Sequence, residues 1–343
     1  MTYNGADVIF PHLGIVIQTL RNHITVFGVD IMFYGMIIGA GMLLAMLMVE
    51  KNVKAKGLDA ETYWDFFIWI VIAGVAGSRL YYVLFNLDYY LANPAKIFNT
   101  REGGLAIYGG VIGVIIALFI FCRVRKQNAL QMLDNLIPGL LLGQIMGRWG
   151  NFFNCEAFGG YTDTLFAMRL KKELVSASML NEDVLSHVIT DGGTEYIQVH
   201  PTFLYESCWN LFSLLFIIRY MKKKKQSFDG EIMLLYMITY GTGRFLIEGL
   251  RTDSLMIAGT GLRVSQVVAF CSAVAGMILF AAAKRRRKQA GIREAQYVDT
   301  EADGLPEGSG EPADDTAAAS PEASGAVSEK ASDGAAENGG TEG

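Results

Sequence analysis

Runs of about 20 mostly apolar residues, the length a helix needs to cross the hydrocarbon core of a bilayer, dominate the chain. They occupy residues 26–48, 66–85, 104–122, 132–153, 202–220, 231–250 and 264–283, the fourth and sixth carrying charged residues. Inside lipid every backbone N–H and C=O must be satisfied within the segment or its partners, and a helix does this alone. The runs therefore predict an all-α, polytopic membrane protein with about seven transmembrane helices. Composition agrees: 52% of the 343 residues are hydrophobic and the mean hydropathy is +0.30, too apolar for an average soluble protein. Residues 10–20 are apolar but too short to span, and read as an interfacial segment at the outer surface. Residues 1–21 lack the basic start and small-residue cleavage site of a signal peptide.

Orientation follows from Lys and Arg in the short loops. Lys51, Lys54 and Lys56 follow the first run, and Arg123, Arg125 and Lys126 the third; residues 222–225 and 284–288 add two further basic clusters after the fifth and seventh. The alternate loops are poorer, with Lys96 and Arg101 after the second run and Arg251 and Arg263 after the sixth. The N-terminus is then outside, and residues 156–199, a polar stretch mixing strand-like and helix-like segments, form a small extracytoplasmic cap. Residues 1–288 make the transmembrane domain. Residues 289–343 read as a disordered, acidic cytoplasmic tail, because Ala, Gly, Ser, Glu and Asp cannot bury enough apolar surface to fold. The net charge of −5 comes largely from that tail, and no nucleic-acid partner is expected. Cys122, Cys155, Cys208 and Cys271 stand singly with no C-x-x-C pair, so neither a disulfide framework nor a zinc site is expected; no metal and no cofactor is implied.

With this topology, the polar residues of the runs fall at one depth. Tyr34 lies in the outer half of the first run, Arg79 in the last third of the second, and Tyr108 a few residues into the third. Arg148, Asn151 and Asn154 end the fourth, His200, Tyr205 and Glu206 open the fifth, and Tyr240, Arg244 and Glu248 close the sixth. An Arg at a helix centre costs roughly 2.5–3.5 kcal/mol on insertion scales, so such groups face a polar cavity or a partner. Their clustering implies one polar site open to the outer leaflet. Tyr240, Arg244 and Glu248, spaced i, i+4, i+8, share a helical face, with Arg251 near it, and Arg148 and Asn151 share another. Arg binds phosphate with a planar fork of donors; a phosphate at headgroup depth beside apolar helices describes a phospholipid. Gly103, Gly104, Gly109, Gly110 and Gly113 around Tyr108 would admit lipid or backbone. A lipid or small-anion transporter would also need intramembrane Arg, but internal repeats of the kind such proteins often show are not visible.

The stretch Gly147-Arg148-Trp149-Gly150-Asn151-Phe152-Phe153-Asn154, with Glu156 and Gly159, resembles the G-R-x-G-N-F-x-N motif of the prolipoprotein diacylglyceryl transferases. Tyr34-Gly35, residues 200–206 (His-Pro-Thr-Phe-Leu-Tyr-Glu) and Arg244-Phe245-Leu246-Ile247-Glu248 followed by Arg251 are similar to further stretches of that family, in the same order, so the resemblance covers roughly residues 33–283. It implies a plasma-membrane, multi-pass transferase. Such an enzyme moves the diacylglyceryl group of phosphatidylglycerol onto the lipobox cysteine of prolipoprotein signal peptides, forming a thioether and releasing glycerol-1-phosphate. On that reading Arg148 and Arg244 hold the phosphate, Asn151 and Asn154 bond the headgroup or hold the loop, Glu248 orients Arg244, and Arg251 guides the leaving phosphate. Tyr34, Tyr240 and Gly159 complete the substrate-binding set. Tyr108 stands where many members have His; with an ordinary pKa near 10 it is a poor base, though it can donate a hydrogen bond. His200 is the one histidine in the matched motifs. The base that deprotonates the thiol is left open between them and other groups.

Overall fold

The computed structural model describes residues 5–100, 103–223, 226–252, 254–257, 259–289 and 291. Nearly all of the tail expected at residues 289–343 therefore lies outside the described residues. The chain begins with two hairpins: β1 (Val8–Phe10) with β2 (Ile15–Ile17), and β3 (His23–Val26) with β4 (Val29–Met32). Helices α1 (Phe33–Ala55), α2 (Ala60–Phe85), the short α3 (Leu87–Ala92), α4 (Ile107–Arg125) and α5 (Ala129–Phe153) follow. Next come β5 (Met168–Lys171), the short α6 (Glu182–Ser186), β6 (Ile189–Asp191) and β7 (Thr194–Val199), then α7 (Thr202–Lys222), α8 (Glu231–Glu248) and α9 (Val264–Gln289).

Helix is the main component, and each of the seven apolar runs overlaps a long helix. Four of these, α1, α2, α4 and α9, are long and apolar enough to cross a membrane. Helix boundaries follow local chemistry. Asp59 starts α2 by accepting from the backbone N–H groups of Glu61 and Thr62, and Asn128 starts α5 by accepting from Leu130 and Gln131, so both cap orphan donors of a first turn. Pairing of α2 with α4 rests on small residues. A Cβ added at Gly77 would lie 2.5 Å from the Gly109 carbonyl oxygen, and one at Gly113 2.5 Å from that of Ala73. Small residues spaced four apart let helix backbones approach this closely. Gly109 and Gly113 thus receive the backbone of α2, while Gly104 makes room for the Arg79 and Tyr82 side chains.

Two expectations need correction. The protein is not all-α: β2, β1, β5, β7 and β6 form, in that order, an antiparallel five-stranded sheet. The segment expected to lie at an interface, residues 10–20, supplies part of it. Val8, Ile9 and Phe10 of β1 are buried, and Val8 and Ile9 pair with Leu170 and Arg169 of β5. Val8, Phe10 and Leu170 close a core with Phe158, Met168, Ile197 and Phe203, so the first strands and residues 156–199 fold as one layer against the ends of α5 and α7. The second correction concerns residues 26–32, expected to begin the first span: they belong to the β3–β4 hairpin, and helix starts only at Phe33.

Candidate functional site

Glu206, one turn into α7, is the centre of the site. Its side chain is only 4% exposed, and a buried carboxylate is stable only when paired and hydrogen-bonded. Three guanidinium groups from two other helix ends supply the pairing. Arg148 of α5 places Nε 3.0 Å from Glu206 Oε2. Arg244 of α8 donates Nη1 to both carboxylate oxygens, at 2.8 and 2.9 Å. Arg251, just past α8, reaches Oε1 at 3.3 Å. Arg244 also pairs through Nη2 with Glu248 Oε2 at 2.5 Å, and Glu248 accepts from the Ser254 hydroxyl at 2.7 Å.

Arg148 links this cluster to its own loop. Its Nη1 donates to Asn151 Oδ1 at 3.2 Å, and the Asn151 and Asn154 amides donate to Glu156 Oε1 at 2.8 and 3.5 Å. Arg148 Nη2 takes no acceptor among the described residues, while the side chain is 21% exposed. A donor fork is therefore left open where the site meets its surroundings. Gly150 keeps that side clear for Tyr34: a Cβ there would be 2.8 Å from the Tyr34 ring.

The loop after α5 is fixed by backbone. Cys155 and Ala157 have positive φ, 49° and 58°, a strained conformation for residues with a side chain, and Glu156 sits between them. His200 pairs with both glycines of this loop, the Gly159 N–H donating to the His200 carbonyl at 2.9 Å and the His200 N–H to the Gly160 carbonyl at 3.1 Å. Gly160 N–H donates to Leu250 O at 2.9 Å, and the Thr202 hydroxyl donates to Ala157 O. A side chain at Gly159 would meet His200 Cβ at 2.7 Å and Leu250 O at 2.8 Å. Gly159 thus lets three segments close: the loop, the start of α7 and the end of α8. Burial pushes the Cys155 thiol up to about 11, helped by Asp7 and Glu156; it stays protonated and unreactive near neutral pH. Burial lowers the His200 pKa below its ordinary value, which keeps the ring neutral; its Nδ1 lies 3.4 Å from the Tyr205 hydroxyl.

Of the residues singled out in the sequence, Arg148, Arg244, Arg251 and Glu248 meet around Glu206, with Asn151, Asn154 and Tyr34 beside them. Tyr240 stacks on Tyr236, one turn away on α8 (ring centroids 5.1 Å apart). Two residues part from the cluster. Tyr108 has its hydroxyl 3.3 Å from Ser265 Oγ, on the first turn of α9. Arg79 donates to the carbonyls of Lys96, Ile97, Asn99, Gly103 and Gly104, at 2.6–3.0 Å, so it holds the loop after α3. The residue undervalued in the sequence is Glu206. Its signal was present: a carboxylate in an apolar run needs a cation, and Arg148 and Arg244 lay at matching depth.

Chemically, the arrangement is a row of preorganised guanidinium donors around one buried carboxylate, with part of Arg148 open. It suits a phosphate ester on which charge develops. The family described as prolipoprotein diacylglyceryl transferase matches residues 22–282. A phosphatidylglycerol–prolipoprotein diacylglyceryl transferase of Finegoldia magna is 40% identical over 255 residues, 74% of this chain and 92% of the relative. Enzymes of the same name from Clostridioides difficile and Clostridium novyi are 38% identical over 264 residues (77% and 95% of the two chains) and 41% identical over 254 residues (74% and 92%). The family match runs through every residue of the cluster, and the chain belongs to the prolipoprotein diacylglyceryl transferase family.

Proposed function

We propose that this membrane protein transfers the diacylglyceryl group of phosphatidylglycerol to the cysteine thiol of a prolipoprotein. The observation that carries this reading is the convergence of Arg148, Arg244 and Arg251 on Glu206 with a donor of Arg148 left open. The sulfur of the substrate cysteine, as thiolate, attacks the glyceryl carbon esterified to phosphate. A C–S thioether bond forms, the C–O bond breaks, and glycerol-1-phosphate leaves with the bonding electrons. Arg148 and Arg244 hold the phosphate and stabilise the charge that develops on it. Their field also favours the thiolate form of the incoming cysteine. Glu206 and Glu248 keep the guanidinium groups oriented, and Asn151 and Asn154 hold Glu156 and the loop against the headgroup. Arg251 guides the leaving phosphate outward. His200, kept neutral by its burial, is able to accept a proton; Tyr108 serves as a hydrogen-bond donor.

All seven long helices span the cell membrane on this reading. The N-terminus and the five-stranded layer lie outside, the tail is cytoplasmic, and the arginine cluster sits just beneath the outer surface. The basic residues at the opposite helix ends support it, since Lys and Arg are retained in cytoplasmic loops. The decisive experiment is transfer itself. Purified protein is incubated with phosphatidylglycerol and a lipobox peptide, and the peptide mass is measured. A gain of one diacylglyceryl unit is expected, and none when the peptide cysteine is alkylated beforehand. An unchanged mass with the free thiol refutes the proposal.

A further inference from the structure

The β3–β4 hairpin is amphipathic, and most of its apolar face is exposed, with Ile24 alone of its four residues partly buried. Its register pairs Ile24 with Ile31 and Val26 with Val29, so these four side chains share one face of the ribbon. Val26, Val29 and Ile31 are 39%, 63% and 40% exposed. The opposite face pairs Thr25 with Asp30 and His23 with Met32; there the Thr25 hydroxyl donates to Asp30 Oδ1 at 2.7 Å, and His23 Nε2 lies 3.9 Å from the same atom. Thr25, Asp30 and His23 satisfy each other in the open on this face, next to an exposed Met32, while Val26, Val29 and Ile31 stand bare on the other.

A second observation comes from the turn. Phe27 and Gly28 both have positive φ, 52° and 79°, as a two-residue turn joining right-twisted strands requires. Asn, Asp and Gly suit the first of these positions, and a bulky residue there is strained. Phe27 is nevertheless fully exposed, at 103%, so no packing within the protein repays the strain. An apolar medium outside the protein would.

The hairpin's place identifies that medium. Met32 leads directly into α1, a helix long and apolar enough to span, whose Met36, Leu43 and Leu47 are exposed. The hairpin's bare face thus adjoins a lipid-facing helix. It stands at the end of α1 where Tyr34 packs on Gly150, beside Arg148.

We infer that the β3–β4 hairpin lies in the boundary between headgroups and acyl chains of the outer leaflet. Phe27, Val26 and Val29 enter the lipid, and His23, Thr25 and Asp30 face water. Amphipathic elements bind interfaces in this manner, with strength set by their buried apolar area. The inference rests on the membrane placement proposed above, and adds that the hairpin fixes the height of Tyr34, and so of the arginine site, relative to the headgroups.

Spin labels test it. Single cysteines replace Phe27, Val29, Thr25 or Leu43 in a chain whose exposed Cys208 and Cys271 are changed to Ala. Each labelled protein is placed in phosphatidylglycerol-containing nanodiscs, and collision with oxygen is compared with collision with a water-soluble nickel chelate. Positions 27 and 29 should lose nickel collisions to the level of Leu43, while Thr25 stays fully accessible. Nickel access at 27 and 29 equal to that at 25, with Leu43 protected, overturns the inference and leaves the membrane placement standing. An accessible Leu43 overturns both. Transfer activity is not part of the readout, so an inactive protein with a protected tip still sustains the inference.

Discussion

Helices α5 and α8 each carry a buried polar cluster at either end, and the two clusters are built on opposite plans. Arg148 stands 14 residues beyond Asp134 on α5, about 21 Å along the helix. At the Asp134 end, donors and acceptors cancel. Asp134 accepts from Gly230 N–H at 2.7 Å, Met233 N–H at 2.8 Å and the Gln226 amide at 2.7 Å, and so caps α8 from another helix. Glu231 accepts from Tyr220 Oη at 2.5 Å and from the Ser227 backbone and hydroxyl, and lies 2.8 Å from Lys284 Nζ. At the Arg148 end, guanidinium groups converge on Glu206 and Glu248, and one donor fork remains open. A polar cluster that saturates itself ties helices together; one that keeps donors in reserve can bind a ligand.

The comparison can be broken by mutation. Glu206→Ala has the largest expected effect. Removing the carboxylate leaves three cations close together and partly buried, which costs about 3–5 kcal/mol, and thermal unfolding in detergent should fall sharply along with transfer. Arg148→Ala should lose about 10²–10³ in kcat, the usual cost of one preorganised donor, while the protein inserts and unfolds nearly as before; near-normal turnover would sink the phosphate assignment. Asp134→Ala should behave inversely. Its orphaned backbone donors cost about 1–3 kcal/mol of stability, and transfer per folded molecule should hold. If activity collapsed without loss of stability, the division between the two ends would be wrong.

Tyr108→Phe removes a hydrogen bond to Ser265 worth about 1 kcal/mol, and kcat should change little; a loss comparable to that of Arg148→Ala would give the phenol a direct part in the reaction. The smallest effect concerns pH. The folded protein holds the His200 pKa below its unfolded value, so the unfolded chain binds more protons as pH falls through the ordinary histidine range. Stability should therefore decline from that range down to the lowered folded value and level off below it. His200→Gln should flatten this part of the melting-temperature profile, and an unchanged profile would show that the ring is not the group responsible.

Much of this was legible in the chain itself. Seven long apolar runs became seven long helices because helix formation in an apolar segment depends on local hydrogen bonding. The residue types of the site were legible too: a charge in an apolar run requires a partner, so Arg148, Arg244 and Glu248 advertise themselves. Residues 26–32 misled because Val26, Phe27, Val29 and Ile31 are as apolar as a helix start, while their pairing across a turn is a property of register. Arg79 misled because depth along a span says nothing of direction around the helix: its guanidinium turns to the backbone of the loop after α3.

Membrane character, helix positions and the identity of the charged groups were thus determined by sequence, since each depends on neighbouring residues and the solvent they prefer. Only the tertiary structure decided that Glu206 is the common partner of three arginines, that Arg79 belongs to a loop, and that strands from residues 8–17 complete a sheet with residues 168–199. These contacts join groups from 17 to more than 150 residues apart, and what selects them is the mutual satisfaction of buried charges and backbone donors in three dimensions, which no local stretch encodes.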